Sequence, residues 1–231
     1  MSKPLSNPLK VVITGGLGAL GRSVAAVLAA RGMQVAVLDR APKAEVGAAV
    51  AVFGGVDLGD VASAARALSQ AAQALGGIDA LVNVAGGFQW ETLEGGSIET
   101  WDRLYSMNLR TAVIACKEVL PHLLKNPSGR IVNIGALASV KAGAGMGAYA
   151  ASKAGVARLT ESLAEELKDQ HINVNAVLPS IIDTLANRAD MPDADVTRWV
   201  STQSLGSVIA FLLSDDASAI TGACLPVAGR V

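Results

Sequence analysis

Two side chains in the second half of the sequence, Tyr149 and Lys153, have the types and the spacing that proton transfer requires. Residues four positions apart on a helix share a face, so the phenol and the ammonium would be neighbours. A free phenol has a pKa near 10, and a positive charge beside it is expected to lower that pKa. The pair is predicted to work as a general acid and base; the alternative is an amphipathic helix that carries both residues incidentally.

A glycine-rich turn near the start of the chain indicates a binding site for a dinucleotide. Gly16, Gly18 and Gly21 have the spacing that lets a backbone turn sharply between a strand and a helix and approach a pyrophosphate closely. The helix after the turn would direct its first N–H groups at the same phosphates. The residues expected to contact the dinucleotide in this turn are Gly15, Leu17, Gly18, Ala19, Leu20 and Gly21.

An acidic residue at the end of the second predicted strand, Asp39, indicates which dinucleotide is used. A carboxylate there can accept hydrogen bonds from a ribose and would repel a 2′-phosphate, which favours NAD over NADP. Two alternatives stay open: Asp39 could cap the next turn, and Arg40 could bind a phosphate. Asp57 and Leu58 are candidates to bracket an adenine ring, although an Asx turn explains Asp57 about as well.

The elements that must position these residues follow a regular alternation of short β-branched runs and longer alanine-rich segments. This alternation predicts an α/β fold: a single Rossmann-type, doubly wound parallel sheet with helices on both faces. One domain over residues 1–231 is expected, with a lid loop over about 179–200 near the strand ends. The predicted strands are 9–14, 34–39, 49–53, 80–84, 130–134, 172–178 and 223–227, and the predicted helices are 19–31, 61–75, 98–124, 146–168 and 205–213.

The bulk composition argues against several kinds of partner. A formal net charge of −1, without a cluster of Lys and Arg, gives no footprint for nucleic acid. No apolar run approaches the ~20 residues of a membrane span, and residues 1–10 carry Pro4 and Pro8 instead of a signal core, which predicts a cytoplasmic protein. The two cysteines, Cys116 and Cys224, show no metal-ligand spacing, so no metal site is expected. A small-molecule substrate is therefore predicted.

The two longest predicted helices, 98–124 and 146–168, are rich in Ala, Val and Leu around more than one face. Such helices are expected to be buried against more than the sheet. The sequence therefore predicts a homo-oligomer, either a dimer or a tetramer.

In their order and spacing these motifs resemble the short-chain dehydrogenase/reductase family over essentially the whole chain. The matching pieces are the turn at Thr14-Gly15, Asp57, the stretch Asn83-Val84-Ala85-Gly86, Asn108, the stretch Tyr149-Ala150-Ala151-Ser152-Lys153, and Pro179 with Thr184. The resemblance implies a nicotinamide-dependent oxidoreductase in which Tyr149 supplies the proton and Lys153 also holds the nicotinamide ribose. Further cofactor contacts are implied for Asn83, Ala85, Gly86, Pro179, Ile182 and Thr184, while Gly87 and Phe88 would face the substrate.

A third catalytic residue implied by the resemblance is Asn108, whose backbone or side chain would fix a water between Lys153 and solvent. Asn108 lies within a predicted helix, where asparagine is an indifferent helix former. The alternative is that this asparagine kinks or caps the helix.

One departure from the family pattern bears on the substrate. Members of the family usually carry a serine about thirteen residues before the tyrosine, and it polarises the substrate carbonyl; Ala136 stands there in this chain. Dihydropteridine reductases also carry alanine at this point and are similar to this chain at Gly145-Met146 and in the loop 183–199. This likeness predicts transfer of a hydride from NADH to a small conjugated C=N or C=O acceptor, with quinonoid dihydropterin as the favoured substrate. The alternatives are a general carbonyl reductase or alcohol dehydrogenase that uses Ser139, or a non-enzymatic NAD-binding scaffold.

Overall fold

The centre of the molecule is a parallel sheet of seven strands, seen in a computed structural model that describes residues 8–42 and 44–231. Its strand order is β3-β2-β1-β4-β5-β6-β9, and all neighbours are parallel. The strands are β1 (Lys10–Thr14), β2 (Gln34–Leu38), β3 (Ala51–Phe53), β4 (Ala80–Asn83), β5 (Gly129–Ile134), β6 (Ile172–Pro179) and β9 (Cys224–Val227), with β7 (Ile182–Asp183) and β8 (Val200–Ser201) as a separate pair. Most of the segment 1–10, on which the prediction of a missing signal core depends, lies outside the described residues.

Helices cover both faces of this sheet. They are α1 (Ala19–Ala30), α2 (Val61–Leu75), α3 (Ile98–Leu104), α4 (Thr111–Leu123), α5 (Gly147–Leu167), α6 (Leu185–Asp190) and α7 (Thr202–Leu212). Strand side chains alternate between two apolar cores: Leu81 packs in the core beneath α2 and α4, and Val82 in the one beneath α1 and α7. The predicted doubly wound α/β fold is confirmed.

The order of the strands brings the candidate site together. Chain progression runs outward from β1 in one direction to β2 and β3, and in the other direction through β4, β5 and β6. The point between β1 and β4 is thus a topological switch, and ligands of open α/β sheets bind at the carboxyl ends of the strands there. Thr14, Asn83 and Asn133 lie in one register across these three strands, close to that edge.

The predicted helix 98–124 is not continuous. A π-helical segment, Tyr105–Arg110, separates α3 from α4. Its one buried residue is Asn108, whose side chain bonds to the backbone of Gly87 on a different loop. A π-bulge widens one turn and re-aims its residues, and the catalytic role of Asn108 stays a prediction.

The predicted lid loop 179–200 has more structure than expected, because it contains β7, α6 and β8. Thr184 caps α6 by accepting a hydrogen bond from the Asn187 N–H at 3.2 Å. Arg188 forms an ion pair with Asp183 at 2.6 Å across the same turn. Within residues 8–42 and 44–231, no helix is long and apolar enough to cross a membrane.

Candidate active site

The glycine turn between β1 and α1 closes tightly on its neighbours. Gly15 has φ +64°, and a Cβ added there would lie 2.7 Å from the Cα of Ala85, so only glycine fits. A Cβ on Gly21 would overlap the carbonyl of Gly15. Gly18 precedes α1 and offers it no capping side chain, so the first N–H groups of the helix are left for a ligand. This cradle fits the pyrophosphate of a dinucleotide.

Asp39 is held at the rim of the same turn. One carboxylate oxygen accepts a hydrogen bond from the Leu17 N–H at 2.8 Å, and the other accepts one from the Ala41 N–H at 2.9 Å. These two bonds are consistent with the turn-capping interpretation of Asp39 and fix its carboxylate at the end of β2, while a contact with a ribose stays a prediction. Arg40 is exposed beside it.

The two residues proposed to bracket an adenine ring have other contacts. Asp57 accepts a hydrogen bond from the Gly59 N–H at 2.8 Å, the pattern of an Asx turn. Leu58 is buried in the apolar core, so its side chain is turned away from solvent. A contact of either residue with a nucleotide stays a prediction.

Asn83 is committed to the sheet. Its amide nitrogen donates to the Asn133 side-chain oxygen at 2.9 Å, and its oxygen accepts a bond from the Thr14 hydroxyl at 3.3 Å. Asn133 in turn donates to the Thr160 hydroxyl on α5 at 2.9 Å. This buried polar row was not predicted from the sequence. It positions the strand end that carries Ala85 and leaves the Asn83 side chain little capacity to bind a cofactor directly.

Lys153 occupies the crevice beside this strand end. The side chain is 95% buried, and its ammonium donates a hydrogen bond of 2.7 Å to the carbonyl of Ile134 at the end of β5. A Cβ on Gly86 would lie 3.4 Å from the same nitrogen. Within the described residues Ile134 is the one acceptor of this ammonium, so two of its N–H groups remain for a ligand. Burial lowers the pKa of Lys153 to about 8.

Tyr149 lies one turn before Lys153 on α5, as the sequence predicts. Burial raises the pKa of Tyr149 to about 12. The direction is opposite to the lowering expected from a neighbouring ammonium, because loss of hydration of the phenolate dominates. The ring of Phe88 meets the Tyr149 ring edge-on, with centroids 4.9 Å apart and planes at 87°.

Asn108 ties these parts together. Its oxygen accepts a hydrogen bond from the Gly87 N–H at 2.8 Å, and its nitrogen donates to the Gly87 carbonyl at 3.0 Å and to the Ser152 hydroxyl at 2.9 Å. Ser152 donates to the carbonyl of Tyr149 at 2.7 Å. Both amide hydrogens of Asn108 are thus used by the protein. Ser152 was missed in the sequence, although its position three residues after Tyr149 was a usable signal.

Neither Ala136 nor Ser139 offers a free hydroxyl hydrogen at the end of β5. Ala136 is buried. The Ser139 hydroxyl donates to the Ala136 carbonyl at 2.6 Å within a short 3₁₀ turn. The serine that could have replaced the missing family residue therefore donates its hydroxyl hydrogen to a carbonyl within its own loop.

The remaining predicted cofactor contacts surround the lid. Pro179 is buried at the end of β6, Ile182 packs against the core under α1 and α7, and Thr184 caps α6. These contacts position the lid. A contact of the three residues with a dinucleotide stays a prediction. Within residues 8–42 and 44–231, no three His, Cys, Asp or Glu side chains are placed to hold a metal ion.

A family model described as short chain dehydrogenase matches residues 9–195 of the chain. The chain belongs to the short-chain dehydrogenase/reductase family. Among curated relatives, it is 32% identical over 234 residues to the 2,5-dichloro-2,5-cyclohexadiene-1,4-diol dehydrogenase LinX of Sphingobium indicum, covering 94% of each chain. The protein is an oxidoreductase, so the interpretation as a non-enzymatic scaffold is wrong.

Two solved structures of family members extend the comparison. A short-chain dehydrogenase from Burkholderia cenocepacia in complex with NADP is 30% identical, covers 96% of both chains and superposes with a TM-score of 0.87. A 3-ketoacyl-(acyl-carrier-protein) reductase from Brucella melitensis complexed with NADH is 26% identical, covers 95% of this chain and 96% of that one, and has a TM-score of 0.83. These names describe diol and ketoacyl chemistry. The finer resemblance to dihydropteridine reductases is therefore not supported.

Proposed function

We propose that this protein transfers a hydride between a nicotinamide dinucleotide and a small cyclic carbonyl compound or its alcohol, with Tyr149 as the proton donor. The observation that carries the proposal is the placement of Lys153. Among the residues that the structure describes, its buried ammonium has a single acceptor, Ile134, and Lys153 shares a helix with Tyr149 at the strand ends. An unused charged donor beside Gly86 is suited to the hydroxyl groups of a ribose.

The residues that would hold the dinucleotide are the turn from Gly15 to Gly21, Asp39, Ala85, Gly86 and Lys153. When bound, the nicotinamide supplies the hydride. The protein's part is to orient the acceptor and to move one proton. The neutral Tyr149 hydroxyl donates its proton to the acceptor's oxygen or nitrogen, and the Lys153 ammonium stabilises the phenolate that remains. The Asn108 side chain is engaged, so we assign the proposed relay water to its backbone carbonyl.

The acceptor is proposed to be conjugated. With Ala136 in place of a serine, and with the Ser139 hydroxyl bonded to Ala136, the reacting oxygen gains no second side-chain hydroxyl from this loop. Loss of one such donor typically costs about 10²–10³ in rate for a plain ketone. A conjugated C=O or C=N group depends less on it. A cyclohexadienediol relative is consistent with this class, and quinonoid dihydropterin remains one substrate to test.

NADH is proposed as the preferred dinucleotide, because a carboxylate held at the end of β2 favours a free ribose 2′-hydroxyl and would repel a 2′-phosphate. We further propose that the protein is cytoplasmic. We also propose that it is a homo-oligomer, because Tyr105 and Val113 expose apolar surface on the segment from the π-helical turn into α4. Light scattering of the purified protein and fractionation of its source cells test these two points.

The main proposal is tested by Tyr149→Phe. The sequence has two tyrosines, and Tyr105→Phe is the matched control at an exposed position. With NADH or NADPH and a panel of cyclic diones, simple ketones, quinonoid dihydropterin and β-ketoacyl thioesters, Tyr149→Phe should lose about 10²–10⁴-fold in kcat/KM. Calorimetric titration should show that it still binds the dinucleotide. Activity of Tyr149→Phe close to that of the control would overturn the proposal.

A further inference from the structure

The crevice wall next to Tyr149 is aromatic. Phe88 contacts the Tyr149 ring edge-on, yet 56% of the Phe88 surface remains exposed. Two residues later, Trp90 is 59% exposed. Small-molecule pockets are usually lined by large apolar side chains that are fixed in place but exposed to solvent.

Phe88 is fixed from both sides. The preceding Gly87 is bonded to Asn108 through both its N–H and its carbonyl. On the other side, Trp90 donates its indole N–H to the Ala144 carbonyl at 2.9 Å. The backbone N–H of Glu91 donates to the Gly145 carbonyl at 2.8 Å. The segment is therefore tied to the π-helical turn at one end and to the loop before α5 at the other.

Two polar side chains near this wall, Glu91 and Ser139, are bonded within the protein. The Glu91 carboxylate accepts a hydrogen bond from the Thr100 hydroxyl at 2.7 Å and one from the Ser97 N–H. The Ser139 hydroxyl donates to Ala136. A charged substituent that replaced water beside Phe88 would lose hydration without gaining a bond from Glu91 or Ser139, whereas a flat uncharged ring would gain contact with an aromatic ring.

We propose that Phe88 is a specificity-determining residue, whose exposed ring selects planar, uncharged ring substrates and presents their carbonyl group to Tyr149. The inference rests on the proposed function and narrows its substrate class. Because the Phe88 and Tyr149 rings are nearly perpendicular, a substrate ring stacked on Phe88 meets the Tyr149 ring at the same steep angle.

The test compares two uncharged vicinal dicarbonyl compounds: isatin, which is a flat ring, and diacetyl, which is acyclic. The variants are Phe88→Leu, Phe88→Tyr, and Phe211→Leu as a control for loss of an exposed phenylalanine on α7. Phe88→Leu should lower the ratio of kcat/KM for isatin to that for diacetyl about five- to tenfold, mainly through KM. Phe88→Tyr should restore the ratio, because it retains the ring. An unchanged ratio in Phe88→Leu would overturn the proposal.

A binding measurement separates this inference from the proposed function. Isatin is titrated calorimetrically into the wild type and Phe88→Leu, each saturated with NAD⁺, and the wild type should bind about five- to tenfold more tightly. Tighter binding without turnover of any carbonyl compound would sink only the proposed activity. Turnover with equal isatin affinities in the two proteins would sink only the role of Phe88.

Discussion

The side-chain amide of Asn133 on β5 donates a hydrogen bond of 2.9 Å to the Thr160 hydroxyl on α5, in the middle of the protein. Both side chains are completely buried. The Thr160 hydroxyl donates in turn to the Val156 carbonyl, and the Asn133 side-chain oxygen accepts a hydrogen bond from Asn83 on the neighbouring strand. The helix that carries Tyr149 and Lys153 is thereby joined to the two strands whose ends form the crevice.

Thr160→Val should destabilise the protein by about 1–3 kcal/mol, because it leaves a buried amide donor of Asn133 without a partner. Ser162→Ala removes an exposed hydroxyl from the same helix and should change stability by less than about 0.5 kcal/mol. Urea denaturation of both variants gives the comparison. Equal midpoints would show that the bond contributes nothing.

Asn108→Asp tests the tie between the π-helical turn and α5. The change keeps an oxygen for the Gly87 N–H but removes the donors to the Gly87 carbonyl and to Ser152. Loss of position at Phe88 and Tyr149 should lower kcat by about 10²-fold. Ser152→Ala, which removes only the link to α5, should cost less. The role fails if steady-state kinetics give Asn108→Asp a kcat within about twofold of the wild type.

The pH dependence of reduction should report Lys153. With a pKa of about 8 the ammonium is present below pH 8 and lost above it, while Tyr149, with a pKa of about 12, stays protonated throughout. The kcat/KM for reduction should therefore be level below about pH 8 and decline above it, since this parameter follows the free enzyme. A profile that is level to pH 10 would contradict the assignment.

Folding stability should move in the other direction over the same window. The pKa of Lys153 is about 8 in the folded protein and 10.5 in the reference state, so between these values the unfolded chain binds more protons. The contribution of Lys153 to stability is fully present above 10.5 and is lost as the pH falls to about 8. Denaturation midpoints of the wild type should rise with pH in this range relative to those of Lys153→Met. Parallel curves would show that burial does not perturb this lysine.

Asp39→Asn should shift the dinucleotide preference towards NADPH. The amide oxygen can still accept the Leu17 N–H while the negative charge disappears, although the bond from the Ala41 N–H is lost. The kcat/KM ratio of NADPH to NADH should rise about tenfold, equivalent to about 1.4 kcal/mol. Asp57→Asn, at the other Asx turn, is the matched control and should leave the ratio close to that of the wild type. A wild type that already uses NADPH as well as NADH would refute the argument from Asp39.

Local signals explain where the sequence predicted the fold well. The helix 61–75 was predicted at both ends, because the Asp60 side chain caps its start and Gly76, with φ 71°, terminates it. The catalytic helix was predicted to within one residue. The β-branched runs predicted the strand positions. The glycine spacing predicted the turn, and the structure shows that a Cβ does not fit at Gly15 or Gly21.

Long-range contacts explain what was missed. The π-helical segment depends on a bond between Asn108 and Gly87, which are 21 residues apart. The short strands β7 and β8 form because Ile182 pairs with Val200, and neither two-residue segment predicts a strand by itself. The direction of the Tyr149 pKa shift depends on how deeply folding buries its ring, which the spacing to Lys153 does not reveal.

The central place of β1 has a consequence for biogenesis. Because β1 is flanked by β2 and β4, the strand that comes first along the described residues is an inner one, and each later strand of the large sheet can add to an existing edge. β9, which follows these strands along the chain, closes the border next to β6. A nascent chain stalled after β5 would therefore already carry the glycine turn without the helix that bears Tyr149.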